Sequence, residues 1–555
     1  MSRPTYIVVG GGISGLAAAW ELSGYGGSPS PRVVVLEGSD RLGGKIASVD
    51  FDGSRIEAGP DAFLARVPHA VDLCAELGLA DELVSPATTK AYVWSRGSLR
   101  TIQSPSIMGI PTTARAMART DAISVRGRLR AELDLILPRT RHPGDNADRS
   151  VHEALAARFG REFAESVAGA LVGGIHAGDP TQLSLAATAV QIDAAGRTHR
   201  SLMRGLKAQG RAALLNSQGP ATLGSEASLP PNGPGQPPVF LAPKAGMIAL
   251  VERLTERLEH RGVEIRTGAP VEGLARQGHS WVPVLHARPP LAPGLAGAGL
   301  AGAGLTSADP IGAGPTSADP IGADPIGSGP IGADLGADCL VADGLIIATP
   351  ARDAALLLEA HFPRAATKLA GVDHASVALV NLCWPSRAVA RPLDASGFLV
   401  PATSGRLMTA CTWTSTKWPH RARPDHVVMR VSVGRFGDDR ALAMTDEALA
   451  EVLQNELVEA GVLQPGAPGP TTCVVVRWPD AFPQYNVGHP EQVRSIEAEV
   501  GGAGNLVLAG AALRGVGIPA CIDSGRRAGR TLLEYSAKSR RAGNQSAKLR
   551  SGNGP

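Results

Sequence analysis

The sequence predicts an α/β protein whose doubly wound nucleotide-binding domain is discontinuous along the chain. Three stretches carry that prediction: a complete βαβ pattern at residues 6–37, a buried strand ending in a turn at Gly344–Pro350, and a strand–glycine–helix unit from Asn505. Alternating strand and helix with long interruptions reads as one parallel sheet assembled from distant pieces. An inserted α+β substrate domain and a helical subdomain fill the interruptions.

The first piece is the most explicit. Tyr6-Ile7-Val8-Val9 reads as a buried strand, and Gly10-Gly11-Gly12-Ile13-Ser14-Gly15 follows it as G-x-G-x-x-G. Leu16 to Leu22 continues as a helix, then Val33-Val34-Val35-Leu36 forms a second strand ending in Glu37. The glycines provide a tight turn, close backbone approach to a pyrophosphate and close helix–strand packing. The helix N-terminus favours phosphate charge, and Glu37 is placed to accept hydrogen bonds from a ribose. Such a unit is Rossmann-like and binds a dinucleotide, NAD or FAD.

Beyond Glu37 the chain reads Gly38 to Lys45, a hairpin through Asp52-Gly53, and Glu57 to Asp61. Helical spacing from about Pro68 closes at Gly78, and residues 90–102 form a hairpin turning at Arg96-Gly97-Ser98. Residues 110–215 are Ala- and Arg-rich and read as helical, with loops at 138–148 and 173–184. A helix from Gly246 to about His260 precedes strands at Val263–Thr267 and Pro270-Val271. A β-rich stretch spans about 376–433, a helix lies near 445–460, a strand at Cys473–Trp478, and a last helix near Ile522–Tyr535.

The expected organisation follows. The nucleotide-binding domain takes 1–88, 238–284, a strand return at 338–352, and 491–537. A substrate and helical region takes 89–215 and a substrate domain takes 353–490. A low-complexity loop at 216–237 and a repetitive insert at 285–337, in which Thr306–Ala313 recurs at Thr316–Ala323, are rich in Pro and Gly and are expected to be disordered. The basic tail at 538–555, with Lys538, Arg540, Arg541, Lys548 and Arg550, is expected to be disordered as well.

Composition narrows the function classes. A chain of 555 residues exceeds one core, and a formal net charge of +3 gives no argument for nucleic acid. The six cysteines are scattered without C-x-x-C spacing, so buried free thiols are expected rather than disulfides or a metal site. No apolar run reaches the roughly 18 residues that span a bilayer, and a cytoplasmic location is expected. Peripheral membrane contact, for which an apolar loop near 105–112 is available, and a homodimer are both left open.

Arg41-Leu42-Gly43-Gly44-Lys45 and the distal Gly510 unit favour a flavin, which needs further backbone approaches along its length. The order of segments resembles the monoamine-oxidase-like flavoprotein superfamily. Glu57–Arg66, Val172–Pro180, Pro483–His489 and Leu508–Ile522 sharpen this to a resemblance to the protoporphyrinogen/coproporphyrinogen oxidase family. The two inserts are the departures from that pattern.

The resemblance implies FAD as cofactor. It implies contacts at Gly10, Gly11, Gly12, Ile13, Ser14, Gly15, Glu37, Gly38, Lys45, Gly59, Pro60, Asp61, Ala62 and Val271. It adds Trp478, Ala511, Val516, Gly517 and Ile518. The implied reaction removes hydrides from a porphyrinogen to flavin N5, with oxygen reoxidising the flavin to give hydrogen peroxide, in three two-electron cycles serving haem synthesis. Coproporphyrinogen III, a soluble tetracarboxylate, is favoured over protoporphyrinogen IX. Arg100 is the expected propionate donor, and Gly174 the expected backbone partner of the pyrrole N–H groups. His176 reads as structural, and no catalytic dyad, nucleophile or metal site is legible. The alternatives are an amine oxidase or carotenoid desaturase, or a non-catalytic FAD/porphyrin-binding protein. Ala511-Ala512-Leu513 offers none of the aromatics that amine oxidases place before the flavin.

Overall fold

The computed structural model describes residues 3–26, 30–101, 103, 105–138, 148–216, 238–286 and 340–551. Five short, nearly continuous apolar segments make one parallel sheet, in the order Glu264–Arg266, Arg32–Leu36, Thr5–Val9, Gly344–Ile347, Leu506–Leu508. Tyr6 stands between Val33 and Gly344 in this register. Both faces of the sheet are covered, which is why its strands lack polar alternation. Tyr6 and Val8 pack with Leu16, Ile522 and Leu532 on one side. Ile7 and Val9 pack with Ile347, Leu357 and Leu369 on the other.

Helix Ile13–Ser23 and the C-terminal helix Ile518–Ser551 lie side by side and parallel. Gly525 permits this: a Cβ there would sit 2.0 Å from the Ser14 carbonyl oxygen. Gly529 stacks likewise over Ala18 and Glu21. The pairing brings two helix N-termini to the same end of the sheet, at its topological switch point, where α/β proteins bind ligands.

A second sheet has seven strands in the order Thr472–Pro483, His374–Pro385, His426–Val433, Met408–Thr412, Gly397–Leu399, Tyr92–Ser95, Ser98–Thr101. Helix Asp446–Glu459 covers one face through Leu449, Leu453 and Leu457. The register slips between Ala375 and Val377, opposite Trp478 and Phe482. This bulge re-aims the end of strand Thr472–Pro483 towards the first domain. Helices between Ala114 and Asn216 form the third layer. At its centre Asp134 takes hydrogen bonds from Arg158 (2.7 Å), Ser201 Oγ (2.6 Å), and the Leu202 and Met203 N–H groups, which caps the helix Leu202–Asn216.

Two expectations need correction. The tail from 538 is helical to Ser551 rather than disordered. Leu532 and Ala528 anchor that helix in the core, and Ala-, Lys- and Arg-rich sequence propagates a helix cheaply once it is nucleated. The loop expected at 173–184 begins later, because the helix Gly169–His176 runs through Gly173 and Gly174 and stops at Ala177 with φ +50°. Apart from Asn216, Leu285 and His286, the expected inserts at 216–237 and 285–337 lie outside the described residues, as does most of the loop at 138–148. Cys74, Cys383, Cys411, Cys473 and Cys521 are free thiols, and all but Cys473 are buried.

Candidate functional site

The crest of the first sheet is a cradle of backbone. The Gly10 N–H donates to the Leu36 carbonyl at 2.7 Å, so the turn closes directly over the second strand. A Cβ at Gly15 would fall 1.8 Å from the Gly10 carbonyl oxygen, whereas one at Gly12 would meet nothing within 4 Å. Gly15 is therefore required for packing, and Gly12 opens onto free space at the N-terminus of helix Ile13–Ser23. Ser14 is buried beneath that turn, beside Cys521. The Glu37 carboxylate accepts from the Gly11 N–H (2.6 Å), the Ser39 N–H (2.9 Å) and Ser39 Oγ (2.7 Å). It is half-buried, with lone pairs left to accept from a diol. Ala269 N–H bonds to the Glu37 carbonyl at 2.9 Å, and Pro270 lies over Gly38, which brings Val271 alongside this edge.

A second ring of backbone faces the first. Gly43 N–H donates to the Gly11 carbonyl at 2.9 Å and joins Arg41–Lys45 to the crest. Lys45 is solvent-accessible at the crevice floor, yet the protein around it lowers its pKa by desolvation, against the pull of Cys521 and Asp353. Gly59 packs against the Lys45 carbonyl, where no Cβ would fit. Pro60 and Ala62 are half-buried beside it.

Asp61 holds this segment to the second sheet. Its carboxylate lies 2.8 Å from Lys417 Nζ, 3.2 Å from Arg430 Nη2 and 3.3 Å from Trp418 Nε1. Arg430 also donates to the Gly59 carbonyl at 2.8 Å. Burial alone would raise the Asp61 pKa, but Arg430 and Lys417 outweigh it and hold the group well below the usual carboxylate range. With its side chain engaged in this way, Asp61 offers a cofactor its backbone. Trp478 reaches the same segment from the bulged strand, and its Nε1–H donates to the Ala58 carbonyl at 2.7 Å.

The far wall comes from Ala511–Ile518. Ala511 begins a short helix, and Val516-Gly517 leads into the N-terminus of the C-terminal helix at Ile518. Tyr485 Oη donates to the Ala511 carbonyl and accepts the Gly515 N–H at 2.8 Å. The His489 ring bonds to the Leu513 carbonyl at 2.9 Å. Sequence reasoning picked out Pro483–His489 without giving these side chains a task. It also missed Thr349, whose hydroxyl is buried without a partner where the fourth strand ends, between Gly10 and Gly510.

The two expected substrate residues fare differently. Gly174 is exposed in the last turn of Gly169–His176, where helix carbonyls lack intrahelical donors. The residue closing that helix, Ala177, shares an apolar cluster with Val377, Phe436, Phe482 and Trp478, so the helix end and the cofactor cradle meet along one apolar seam. Arg100 is not brought to this seam. It lies on the edge strand Ser98–Thr101, at the opposite end of the sheet from Trp478, with Nη1 3.6 Å from Asp121. Its Nε is buried without a hydrogen-bond partner. His176 is buried, and burial lowers its pKa to about 4, so it is neutral near pH 7 and packs against Tyr485.

A crest with open space at Gly12, a carboxylate at Glu37 and two converging helix N-termini fits a pyrophosphate-bridged dinucleotide. The comparisons decide which kind. The family model described as flavin-containing amine oxidoreductase matches residues 13–285 and 332–533. The chain belongs to that family. A flavin bound as a dinucleotide is FAD. Among relatives of this flavoprotein, the coproporphyrinogen III oxidase of Bacillus subtilis (strain 168) is 30% identical over 532 residues, covering 95% of this chain and 98% of the relative. The protoporphyrinogen oxidase of Bos taurus is 28% identical over 549 residues, covering 95% and 98%. The crystal structure of a protein of Exiguobacterium sp. 255-15 assigned as a protoporphyrinogen oxidase superposes with a TM-score of 0.72 at 27% identity, covering 96% of this flavoprotein and 99% of that chain.

Proposed function

We propose that this flavoprotein oxidises a porphyrinogen to the porphyrin in haem biosynthesis, with coproporphyrinogen III preferred to protoporphyrinogen IX and oxygen as the final acceptor. The observation that carries this reading is the end-to-end similarity to a coproporphyrinogen III oxidase, joined to an apolar seam running from the cradle to Ala177. Bound FAD supplies a two-electron acceptor for hydride from the saturated macrocycle.

The chain's own residues bind, orient and exclude water. Trp478, Phe436, Phe482 and Val377 offer a flat ring system an apolar wall. The Gly174 carbonyl, in the last turn of its helix, accepts from the pyrrole N–H groups and fixes the ring's height against that wall. Tyr485 and Asp61 hold the two cradle segments in place from below. His176 stays neutral and takes no proton at working pH. Pyrrole protons pass to water as the macrocycle loses electrons, and six electrons leave in three cycles with three molecules of oxygen reduced to hydrogen peroxide.

Initial rates on the two substrates test the preference. The reading expects kcat/KM for the tetracarboxylate to exceed that for the dicarboxylate by roughly tenfold or more, the value of one discriminating contact of about 1.4 kcal/mol. Equal rates, or a preference for the dicarboxylate, would overturn it.

A further inference from the structure

One face of the seven-stranded sheet is only partly covered. Cys411, Val431 and Val380 are buried beneath helix Asp446–Glu459. The residues that alternate with them, Ala410, Ser432 and Leu379, stand side by side in register on the other face and are half-buried. Ala410 and Leu379 join none of the apolar clusters formed by the described residues. The row continues to Leu399, which lies against the end of helix Gly169–His176: a Cβ at Gly174 would come 3.4 Å from Leu399 Cδ2. In the other direction Leu379 is two residues from Val377, the partner of Trp478. An open strip of sheet therefore runs from the Gly174 carbonyl towards the apolar seam.

Charge stands one row further along. Arg430 lies two residues from Ser432, about 7 Å along the strand, between Asn381 and Thr412 in the register. Its guanidinium is committed, Nη1 to the Gly59 carbonyl at 2.8 Å and Nη2 to Asp61 at 3.2 Å. Lys417 is less committed. Its Nζ donates to the other Asp61 oxygen at 2.8 Å, lies 5.5 Å from the Trp418 ring centre, and has no further acceptor among the described residues. With 15% of its side chain exposed, this ammonium is not sealed off. The carboxylates around it do not balance the cations. Asp61 and Glu57 stand against Lys417, Arg430 and Arg421. One surplus positive charge in a nearly closed site favours an anionic guest.

We propose that the Lys417 ammonium holds one propionate carboxylate of the substrate, with Asp61 fixing the ammonium and Arg430 offsetting the charge of Asp61. The proposal rests on the porphyrinogen reading above and adds the group that anchors a side arm of the macrocycle. A ring lying on Ala410, Ser432 and Leu379 below the Gly174 carbonyl turns one edge towards Arg430 and Lys417. A propionate, with two methylenes, spans that step. Lysine acts here as a point charge on a flexible stem, which suits a flexible carboxylate arm.

Binding is read without turnover, as quenching of coproporphyrin III fluorescence by the FAD-loaded protein. The tetramethyl ester of the same porphyrin is titrated beside it in the same nonionic detergent. The parent is expected to bind the free acid at least about tenfold more tightly than the ester. Lys417→Met is expected to weaken the acid by about tenfold and leave the ester unchanged, and Lys417→Arg to keep most of the preference. Arg430 still holds Asp61 and Gly59 in these variants, so the flavin absorbance is expected to be retained. Should the methionine variant not fold, Lys417→Gln, which can still donate to Asp61, gives the same reading. Equal binding of acid and ester by the parent overturns the proposal alone, whereas binding of neither removes the porphyrinogen reading with it. A Lys417→Met protein that keeps the parent's ratio of acid to ester also overturns the proposal. So does one that loses FAD in step with the porphyrin, which would assign the ammonium to the cofactor cradle.

Discussion

The rings of Tyr485 and His489 stack at 4.2 Å with their planes inclined by 15°, and the polar atoms of both end on the same turn, Ala511 to Gly515. One buried pair therefore sets the position of the segment that leads into the C-terminal helix at the cofactor crest. Tyr485→Phe keeps the stack and removes the bridging hydroxyl, leaving the Gly515 N–H and Ala511 carbonyl unpaired. The expected cost is about 1–3 kcal/mol of stability and roughly tenfold weaker FAD binding. Thermal melts of the apoprotein and flavin fluorescence titration measure the two effects separately.

Two glycines in the opening motif should fail in different ways. Gly15→Ala places a methyl against the Gly10 carbonyl and is expected to give insoluble or unfolded protein. Gly12→Ala meets no protein atom, so it should fold with a normal circular dichroism spectrum while binding FAD at least about a hundredfold more weakly, since its methyl occupies phosphate space. A Gly12→Ala protein that retained its FAD would remove the pyrophosphate from this crest.

Asp61 predicts an acid limb in stability. Its folded-state pKa is depressed by Arg430 and Lys417, so its contribution is complete above the ordinary value of 3.8 and fades as pH falls below it. Asp61→Asn leaves two half-buried cations without their partner, and should destabilise the protein by roughly 3–5 kcal/mol at neutral pH. The gap between variant and parent melting temperatures should narrow below pH 3.8.

His176 gives a signature of the same sign at higher pH. The unfolded chain takes up its proton near 6.5, and the folded chain only near 4. Stability is full above 6.5 and declines as pH drops towards 4, by about 3 kcal/mol for this group. His176→Gln should flatten that part of the melting profile. Turnover between pH 6.5 and 8 should show no step from His176, because it is neutral throughout.

The local parts of this molecule were readable from sequence, and the long-range parts were not. Residues 6–37 announce their fold because strand, turn, helix and acid are neighbours in the chain. Gly344–Ile347 is legible as a buried strand, yet its place beside Thr5–Val9 depends on pairing across more than 330 residues. The ion pairs of Asp61 were not legible, because its cations, Lys417 and Arg430, lie in another domain. The place of Arg100 on the edge strand was not legible, because a hairpin does not reveal which end of a seven-stranded sheet it will occupy. The tail composition suggested disorder, and the buried anchor at Leu532 overrode it.

Anaerobic mixing of the yellow, FAD-loaded protein with coproporphyrinogen III tests the central claim most directly. Bleaching of the flavin absorbance together with the appearance of porphyrin fluorescence is the result this account requires. A flavin spectrum that stays oxidised in the presence of saturating porphyrinogen would contradict it, and would leave a cofactor cradle without the proposed reaction.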